Sequence, residues 1–244
     1  MSTELQIKDL TVSFDGFKAV DNLTFSVDHE ELRVVIGPNG AGKTTLLDLI
    51  CGKTKPTGGS IRFNGRDLCR LHENSIVRYG VGRKFQTPSI YPKLTVFENL
   101  EISFPRGRGT WGSLFFKQSQ DVRDRIREVA REIFLSDHLQ TPGEHLSHGQ
   151  KQWLEIGMVL IADPKLMLLD EPVAGMSHRE RQQTADLLRR ICKGRSVVVI
   201  EHDMDFVKQI AHKVTVMHQG KLLVEGTMEE VQANEKVKEV YLGD

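Results

Sequence analysis

The chain has 244 residues, and its 33 Lys and Arg residues balance its 33 Asp and Glu residues, so its formal net charge is zero. This length suits one large domain, or one core with a small inserted lobe, and the neutral charge argues against a non-specific grip on nucleic acid. Three cysteines are too few for a disulfide framework.

The N-terminal sequence lacks the basic and apolar regions of a signal peptide. The apolar runs along the chain are far shorter than the roughly 20 residues that span a bilayer. We therefore expect a cytoplasmic chain that reaches a membrane only by binding something already there.

The first part of the sequence predicts short strands separated by turns. Apolar residues at alternating positions predict strands over residues 4–14 and 23–27, with an Asp-Gly turn between them. The mostly apolar run 32–36 predicts a buried strand that leads into a glycine-rich loop and then a helix. Residues 60–63, bracketed by glycine-containing turns, predict an edge strand of an antiparallel lobe.

Residues 87–150 differ in character from the segments on either side. Prolines and a glycine-rich stretch come first, and apolar residues then recur at helical spacing from about 119 to 135. This pattern predicts a helical lobe inserted into an α/β core. The core resumes at the apolar runs 165–169 and 196–200, which are typical of parallel strands buried on both faces.

The end of the sequence predicts a hairpin and a helical tail. Apolar residues at 214–217 and 222–225 flank a short polar turn, and residues 227–244 have the pattern of a charged amphipathic helix. The whole chain then divides into an α/β core with its β lobe, an inserted helical subdomain and a tail. The predicted boundaries are 1–86 and 151–225 for the core, 87–150 for the subdomain and 226–244 for the tail.

The glycine-rich loop carries the clearest chemical motif. Residues 37–44, here called the phosphate loop, match G-x-x-x-x-G-K-[ST] between a strand and a helix. Glycines let backbone amides cradle phosphate oxygens, and the helix N-terminus attracts the same anion. In this motif the lysine contacts the β- and γ-phosphates of the nucleotide, and the hydroxyl group of the Ser or Thr that follows it ligates Mg²⁺. The predicted nucleotide-binding residues here are Gly37, Pro38, Asn39, Gly40, Ala41, Gly42, Lys43, Thr44 and Thr45, and Thr44 is the predicted metal ligand.

Two carboxylates end the apolar run 165–169. Asp170 and Glu171 would lie at the carboxyl edge of a parallel sheet, beside the phosphate loop. Asp170 at that edge is a candidate Mg²⁺ ligand. Glu171 is a candidate catalytic base, because a carboxylate there can orient a water molecule and accept its proton.

A third motif gives the family resemblance. The signature segment, Leu146-Ser147-His148-Gly149-Gln150, resembles the L-S-G-G-Q signature of ATP-binding-cassette (ABC) ATPases, and the three motifs occur in that family's order. The resemblance implies an α/β P-loop NTPase fold with a RecA-like core, ATP and Mg²⁺ as cofactors, and two cassettes that sandwich two ATP molecules. Ser147, Gly149 and Gln150 would then cap the γ-phosphate held by the other cassette. His148 stands where the family usually has a second glycine.

Further site residues are implied by the same resemblance. Gln86 matches the glutamine that contacts Mg²⁺ and the water, and His202 matches the histidine that contacts the γ-phosphate. Phe14 matches the aromatic residue that stacks on adenine, with Phe17 a weaker candidate and core packing the alternative for either. Residues 174–177, Ala-Gly-Met-Ser, depart from the usual S-A-L-D, so that segment lacks its aspartate.

The sequences of segments 82–100, 146–160 and 168–177 resemble those of the ATPase subunits of bacterial branched-chain amino acid and urea importers. The residues at 83–86 and 148–155 favour the urea type. The resemblance implies a second ABC ATPase subunit, identical or related, and two transmembrane permease subunits on the cytoplasmic face of the inner membrane. A periplasmic solute-binding protein would be an indirect partner, and nucleic acid would not be one. Exposed apolar residues such as Ile90 and Tyr91 are candidates for the contact with the permease.

Other functions are weaker fits to the sequence. A chromosome-type ABC ATPase needs a long coiled coil between phosphate loop and signature, and no sustained heptads occur there. A ribosomal type usually carries two cassettes, and a small-molecule kinase or GTPase has no use for the signature. A single-cassette export ATPase of the lipopolysaccharide type stays open as the nearest alternative.

Overall fold

The computed structural model describes residues 3–84, 90–105 and 120–242, and the strands in these residues form two sheets. The strands are β1 (Thr3–Phe14), β2 (Phe17–Asp28), β3 (Leu32–Ile36), β4 (Gly58–Phe63), β5 (Arg66–Asp67), β6 (Val81–Lys84), β7 (Leu166–Asp170), β8 (Ser196–Ile200), β9 (Lys213–His218) and β10 (Lys221–Gly226). The α-helices are α1 (Lys43–Ile50), α2 (Glu73–Arg78), α3 (Val96–Ser103), α4 (Gln120–Glu132), α5 (His148–Leu160), α6 (His178–Ile191), α7 (Met204–Ile210), α8 (Met228–Ala233) and α9 (Glu235–Leu242).

The smaller sheet is antiparallel, with strand order β2-β1-β4-β5. Asp15 and Gly16 form the turn between β1 and β2, and both have positive φ, 49° and 89°. The expectation that residues 60–63 form an edge strand was wrong. The chain reverses at Asn64 and Gly65, which also have positive φ, and the two-residue strand β5 then pairs with β4 on its outer side.

The larger sheet has the order β10-β9-β3-β8-β7-β6. Strands β9, β3, β8 and β7 run parallel, and β10 returns antiparallel to β9 through a Gln219-Gly220 turn in which both φ values are positive. Every residue of β3, β7 and β8 is buried, as expected for strands covered on both faces. The predicted α/β fold with a mostly parallel sheet and a separate antiparallel β lobe is confirmed.

The chain divides into two compact units, each described here by itself. The sheet unit comprises Met1–Arg83, Lys165–Glu171 and Leu188–Asp244. The helical unit comprises Lys84–Pro164 and Pro172–Leu187.

The helical unit extends beyond the segment 87–150 predicted for the inserted lobe. Helix α5 packs against α3 and α4, and Trp153 on α5 donates a hydrogen bond of 2.9 Å from Nε1 to the hydroxyl of Thr184 on α6. These contacts accompany the assignment of α5 and the first part of α6 to the helical unit.

The tail consists of two helices where the sequence predicted one. Helix α8 ends at Ala233, and the next residue, Asn234, has an extended backbone (ψ 121°). The side-chain Oδ1 of Asn234 accepts a 3.0 Å hydrogen bond from the backbone N–H of Lys236. This local bond competes with helix continuation, as asparagine side chains commonly do. In the described part of the chain, no helix combines the length and apolar character that crossing a bilayer requires.

Candidate active site

The phosphate loop follows β3 and leads into α1 in the sheet unit. A Cβ atom at Gly37 would lie 2.2 Å from the carbonyl oxygen of Met217, and one at Gly42 would lie 2.3 Å from that of Ala19. Gly42 also has φ 95° and is the N-cap of α1. Only glycine fits at these two positions. The backbone of the loop is therefore free of side chains there, which suits contact with phosphate oxygens.

The other loop residues have different surroundings. Asn39 and Gly40 are exposed, and Pro38 is half-buried. Ala41 is buried, and its backbone N–H donates a 3.2 Å hydrogen bond to the carbonyl of Pro38. In the first turn of α1, Thr44 is exposed and Thr45 is half-buried. The side chain of Ala41 therefore packs inside the unit, whereas Thr44 is accessible to an incoming ion.

We expect Gly42→Ala to lower the free energy of unfolding by about 1–3 kcal/mol and to abolish tight ATP binding, because its methyl group would meet backbone while φ stays positive. Urea denaturation and calorimetric titration with ATP would measure the two effects. Gly194 is the matched control, since its φ is 93° and nothing lies within 4 Å of the place that a methyl group would occupy. Gly194→Ala should lower the free energy of unfolding only through backbone strain, and its ATP affinity should equal that of the wild type. Wild-type ATP affinity in Gly42→Ala would contradict the need for this close approach.

Lys43 lies across its own loop. Its Nζ donates hydrogen bonds to the carbonyl oxygens of Gly37 at 2.7 Å and Pro38 at 3.0 Å. Burial lowers the pKa of Lys43, while the negative charges of Glu171 and Asp170 act in the opposite direction. The lysine charge is thus held next to the backbone that would bind phosphate, and two carboxylates help to keep it protonated.

Asp170 and Glu171 lie where β7 ends. Asp170 is buried and pairs in register with Ile200 of β8. Glu171 has φ 45°, an uncommon value for a residue with a side chain, and its N–H donates a 3.0 Å hydrogen bond to the Ile200 carbonyl. The chain therefore turns sharply after Asp170, and the Glu171 side chain stays partly exposed.

His202 follows β8, and its Nδ1 lies 3.6 Å from Oε1 of Glu171. The buried carboxylate of Glu201 accepts hydrogen bonds from the backbone N–H groups of His202 at 3.0 Å and Asp203 at 3.4 Å. Asp203 in turn caps α7. Sequence reasoning missed Glu201, although an acid directly after a buried apolar strand was the signal for it.

The sheet topology explains why these groups meet. Strand β8 lies between β3 and β7, all three are parallel, and the carboxyl ends of parallel strands share one edge of a sheet. The phosphate loop follows β3, Glu171 follows β7, and His202 follows β8. One edge thus combines a phosphate-binding backbone, a cation, a carboxylate able to accept a proton and a histidine beside it, which is the equipment for hydrolysing a phosphate anhydride.

Phe14 and Phe17 face one another across the first turn, where β1 and β2 pair in register. Their side chains are 48% and 68% exposed, so neither belongs to the core. Exposed aromatic rings of this kind are available for stacking on a base. Gln86, the predicted ligand of Mg²⁺ and water, lies outside the described residues.

The signature segment begins α5 in the helical unit. Ser147 is the N-cap, and its hydroxyl accepts a 3.2 Å hydrogen bond from the backbone N–H of Gln150, whose side-chain Oε1 accepts one of 2.9 Å from Ser147 N–H. The Gln150 amide nitrogen lies 3.0 Å from Nε2 of His138. The side chain of Gln150 therefore holds the helix start in place, while Ser147 remains exposed.

Gly149 is buried in the first turn of α5, next to this cap. A Cβ atom there would lie 2.2 Å from Oε1 of Glu180, at the start of α6. The absence of a side chain at position 149 thus allows the Glu180 carboxylate to lie against the first turn of α5.

Comparison with known proteins agrees with this architecture. A family model described as ABC transporter matches residues 20–174, and one described as branched-chain amino acid ATP-binding cassette transporter matches residues 221–244. The high-affinity branched-chain amino acid transport ATP-binding protein BraF of Pseudomonas aeruginosa is 34% identical, with 98% of each chain covered. The corresponding protein LivG of Escherichia coli K12 is 32% identical, again with 98% of each chain covered.

Solved structures give the same result. The crystal structure of the ADP conformation of an ATP-binding cassette of an ABC transporter is 30% identical, with a TM-score of 0.88 and all of both chains covered. A nucleotide-free cassette of an ABC transporter is also 30% identical, with a TM-score of 0.86 and with 99% of this chain and all of that one covered. The chain therefore belongs to the ABC transporter family and is an ATPase whose ATP hydrolysis is coupled to transport.

Proposed function

We propose that this cassette binds ATP with Mg²⁺ in the sheet unit and hydrolyses it when a second cassette closes over the nucleotide. The observation that carries this proposal is the 3.6 Å approach of Glu171 and His202 at the sheet edge that holds the phosphate loop. Lys43 would neutralise charge on the β- and γ-phosphates, and Phe14 would stack on adenine. Proteins bind ATP phosphates with such a combination of backbone, lysine and metal.

The donor set fits a magnesium ion that arrives with ATP. Thr44 offers the hydroxyl of an exposed side chain at the start of α1, and Asp170 offers a carboxylate at the end of β7, on the same edge of the sheet. Gln86 would add a third oxygen. Mg²⁺ prefers oxygen ligands and commonly takes the remainder from phosphates and water. When bound, it would neutralise the charge that develops on the phosphate oxygens.

In the hydrolytic step, Glu171 would accept a proton from a water molecule as the water oxygen forms a bond to the γ-phosphorus. The bond from that phosphorus to the bridging oxygen breaks, and its electron pair remains on ADP. His202, placed by Glu201 through the backbone, would contact the γ-phosphate. Ser147 and Gly149 of the second cassette would complete the site, because a capped helix N-terminus attracts an anion.

We further propose that the second cassette is a copy of this chain or a close relative, and that the pair sits on two permease subunits at the cytoplasmic face of the inner membrane. A solute-binding protein would deliver the solute from the other side, and nucleic acid is not a partner. The relatives named above support an importer rather than a lipopolysaccharide-type exporter. Their names favour branched-chain amino acids as the solute. The amino-acid sequence around the signature segment makes urea or a similar amide the second candidate.

Uptake measurements in cells that lack this chain would test the solute class. We expect the wild-type chain, and not Lys43→Ala, to restore uptake of radiolabelled leucine. Restoration of urea uptake alone would support the second candidate. Restoration of neither, with the permease genes present, would contradict the importer proposal.

A further inference from the structure

His148, the residue that departs from the family signature, makes a specific contact within the helical unit. Its Nε2 lies 2.9 Å from the carbonyl oxygen of Ala174. A carbonyl can only accept, so the ring donates this hydrogen bond from Nε2. The imidazole itself is exposed, and it therefore bridges the start of α5 and the segment 174–177 at the surface of the unit.

The segment 174–177 is built to receive this ring. Gly175 has φ 70°, and a Cβ atom there would lie 2.8 Å from Nε2 of His148. A side chain at position 175 would therefore displace the imidazole. Glycine at 175 and histidine at 148 fit one another, as a tight contact between two surface segments requires.

The far end of the same segment is held by a second set of bonds. Glu180 Oε2 accepts hydrogen bonds from the backbone N–H of Ser177 at 2.8 Å and from its hydroxyl at 2.7 Å. These bonds lower the pKa of Glu180, and the nearby His148 adds to the effect. The same carboxylate packs against Gly149. His148 thus holds one end of the segment to the start of α5 at Ala174, and at the other end Glu180 of α6 binds Ser177 and lies against Gly149 of α5.

We propose that His148 is a positioning residue that fixes the segment 174–177 beside Ser147, so that both form one prearranged surface for the second cassette. This inference rests on the proposed two-cassette function. The segment lacks the aspartate usual in the family, so its own side chains offer less to a partner and its backbone position matters more. Prearranging a surface reduces the ordering cost that association must otherwise meet.

The test uses Glu171→Gln as the parent, in which ATP is retained. Its variants are His148→Ala, His148→Gln and the control His145→Ala; His145 is also exposed, and the ion pair that the structure shows for it is with the neighbouring Glu144, at 3.9 Å. Three quantities are measured: hydrogen exchange of residues 174–177 without nucleotide, ATP affinity of the monomer, and the ATP-dependent dimer dissociation constant.

We expect His148→Ala to speed exchange at Met176 and Ser177 several-fold and to weaken ATP-dependent dimerisation by about tenfold, the size of effect expected when a few residues must be ordered on association. ATP affinity of the monomer should change less than about twofold, because the segment lies outside the phosphate loop. His148→Gln should show much smaller changes in hydrogen exchange and in dimerisation than His148→Ala, because the glutamine amide nitrogen reaches about as far as the histidine Nε2. His145→Ala should match the parent throughout.

Unchanged dimerisation in His148→Ala, in a parent that does dimerise with ATP, would overturn the positioning role alone. Faster exchange with unchanged dimerisation would overturn it equally, since the contact would then be packing only. A parent that stays monomeric at saturating ATP would instead overturn the two-cassette function, and the inference with it.

Discussion

Glu171→Gln is expected to lower the rate of ATP hydrolysis by about 10²–10⁴-fold, the range typical of a lost general base. Glutamine keeps the size and the hydrogen-bonding oxygen of the side chain but cannot take the proton from water. ATP should therefore remain bound and accumulate in the closed state. Size-exclusion chromatography with ATP and Mg²⁺ should then show a dimer, and phosphate-release assays would give the rate.

Glu235 supplies the matched control for this substitution. It lies on α9 in the same unit, and its side chain is 81% exposed. Glu235→Gln should hydrolyse ATP at the wild-type rate and should not accumulate dimer. If Glu171→Gln also hydrolyses ATP near the wild-type rate, Glu171 is not the proton acceptor.

Lys43→Ala is expected to weaken ATP binding by about 10–100-fold. A hydrogen bond to a charged group contributes about 1.5–3 kcal/mol, and about 1.4 kcal/mol corresponds to a factor of ten in affinity. Calorimetric titration would measure the loss. Lys53→Ala is the control, because it removes an equal charge from an exposed position beyond the end of α1. Unchanged ATP affinity in Lys43→Ala would contradict the role of the phosphate loop.

Because the pKa of Lys43 is lowered, we expect the ATP affinity of the wild-type protein to depend on pH. Burial lowers the pKa of Lys43, so as pH rises the ammonium loses its proton earlier than an exposed lysine would. Affinity should therefore decline as pH rises through that lowered pKa, at a lower pH than an exposed lysine would give. Lys43→Ala should lack this decline, which titrations at a series of alkaline pH values would show.

The central strands and the phosphate loop could be predicted because their signals are local. The runs 32–36 and 196–200 became β3 and β8, and the spacing of apolar residues found α4. Each of these elements is long or apolar enough to stand out from its neighbours. The short elements β6 and α2, of four and six residues, carry no such pattern and were not predicted.

Arg33 shows what local reasoning could not supply. It lies fully buried in β3, where its guanidinium contacts Glu31, Thr215 and Glu225. Thr215 is 182 positions away in the sequence, and only the pairing of β3 with β9 brings it close. A buried charge is tolerated when partners surround it, and those partners are set by strand order as well as by the neighbouring residues.

The residues of the candidate site also fall into two groups, those that local motifs predict and those that only the tertiary structure brings together. Residues that belong to contiguous motifs, such as Lys43 and Glu171, could be proposed as site residues from spacing alone. The buried carboxylate of Glu201 and the bond from His148 to Ala174 could not, because each depends on how distant backbone segments approach one another. Motifs thus suggest candidates for the reacting groups, and the tertiary structure shows which residues contact those candidates.

The pairing register of the central strands bears on how this protein can change over evolutionary time. Ile200 stands opposite both Val35 and Asp170, so three strands finish at nearly the same height. Apolar side chains within β8 can be exchanged for others of similar volume at small cost. Losing or gaining a single residue there would shift His202 by about 3.3 Å along the strand direction, more than a hydrogen bond can follow. We therefore expect substitutions within the inner strands of this enzyme to be tolerated, and insertions or deletions that change the length of these strands to be excluded.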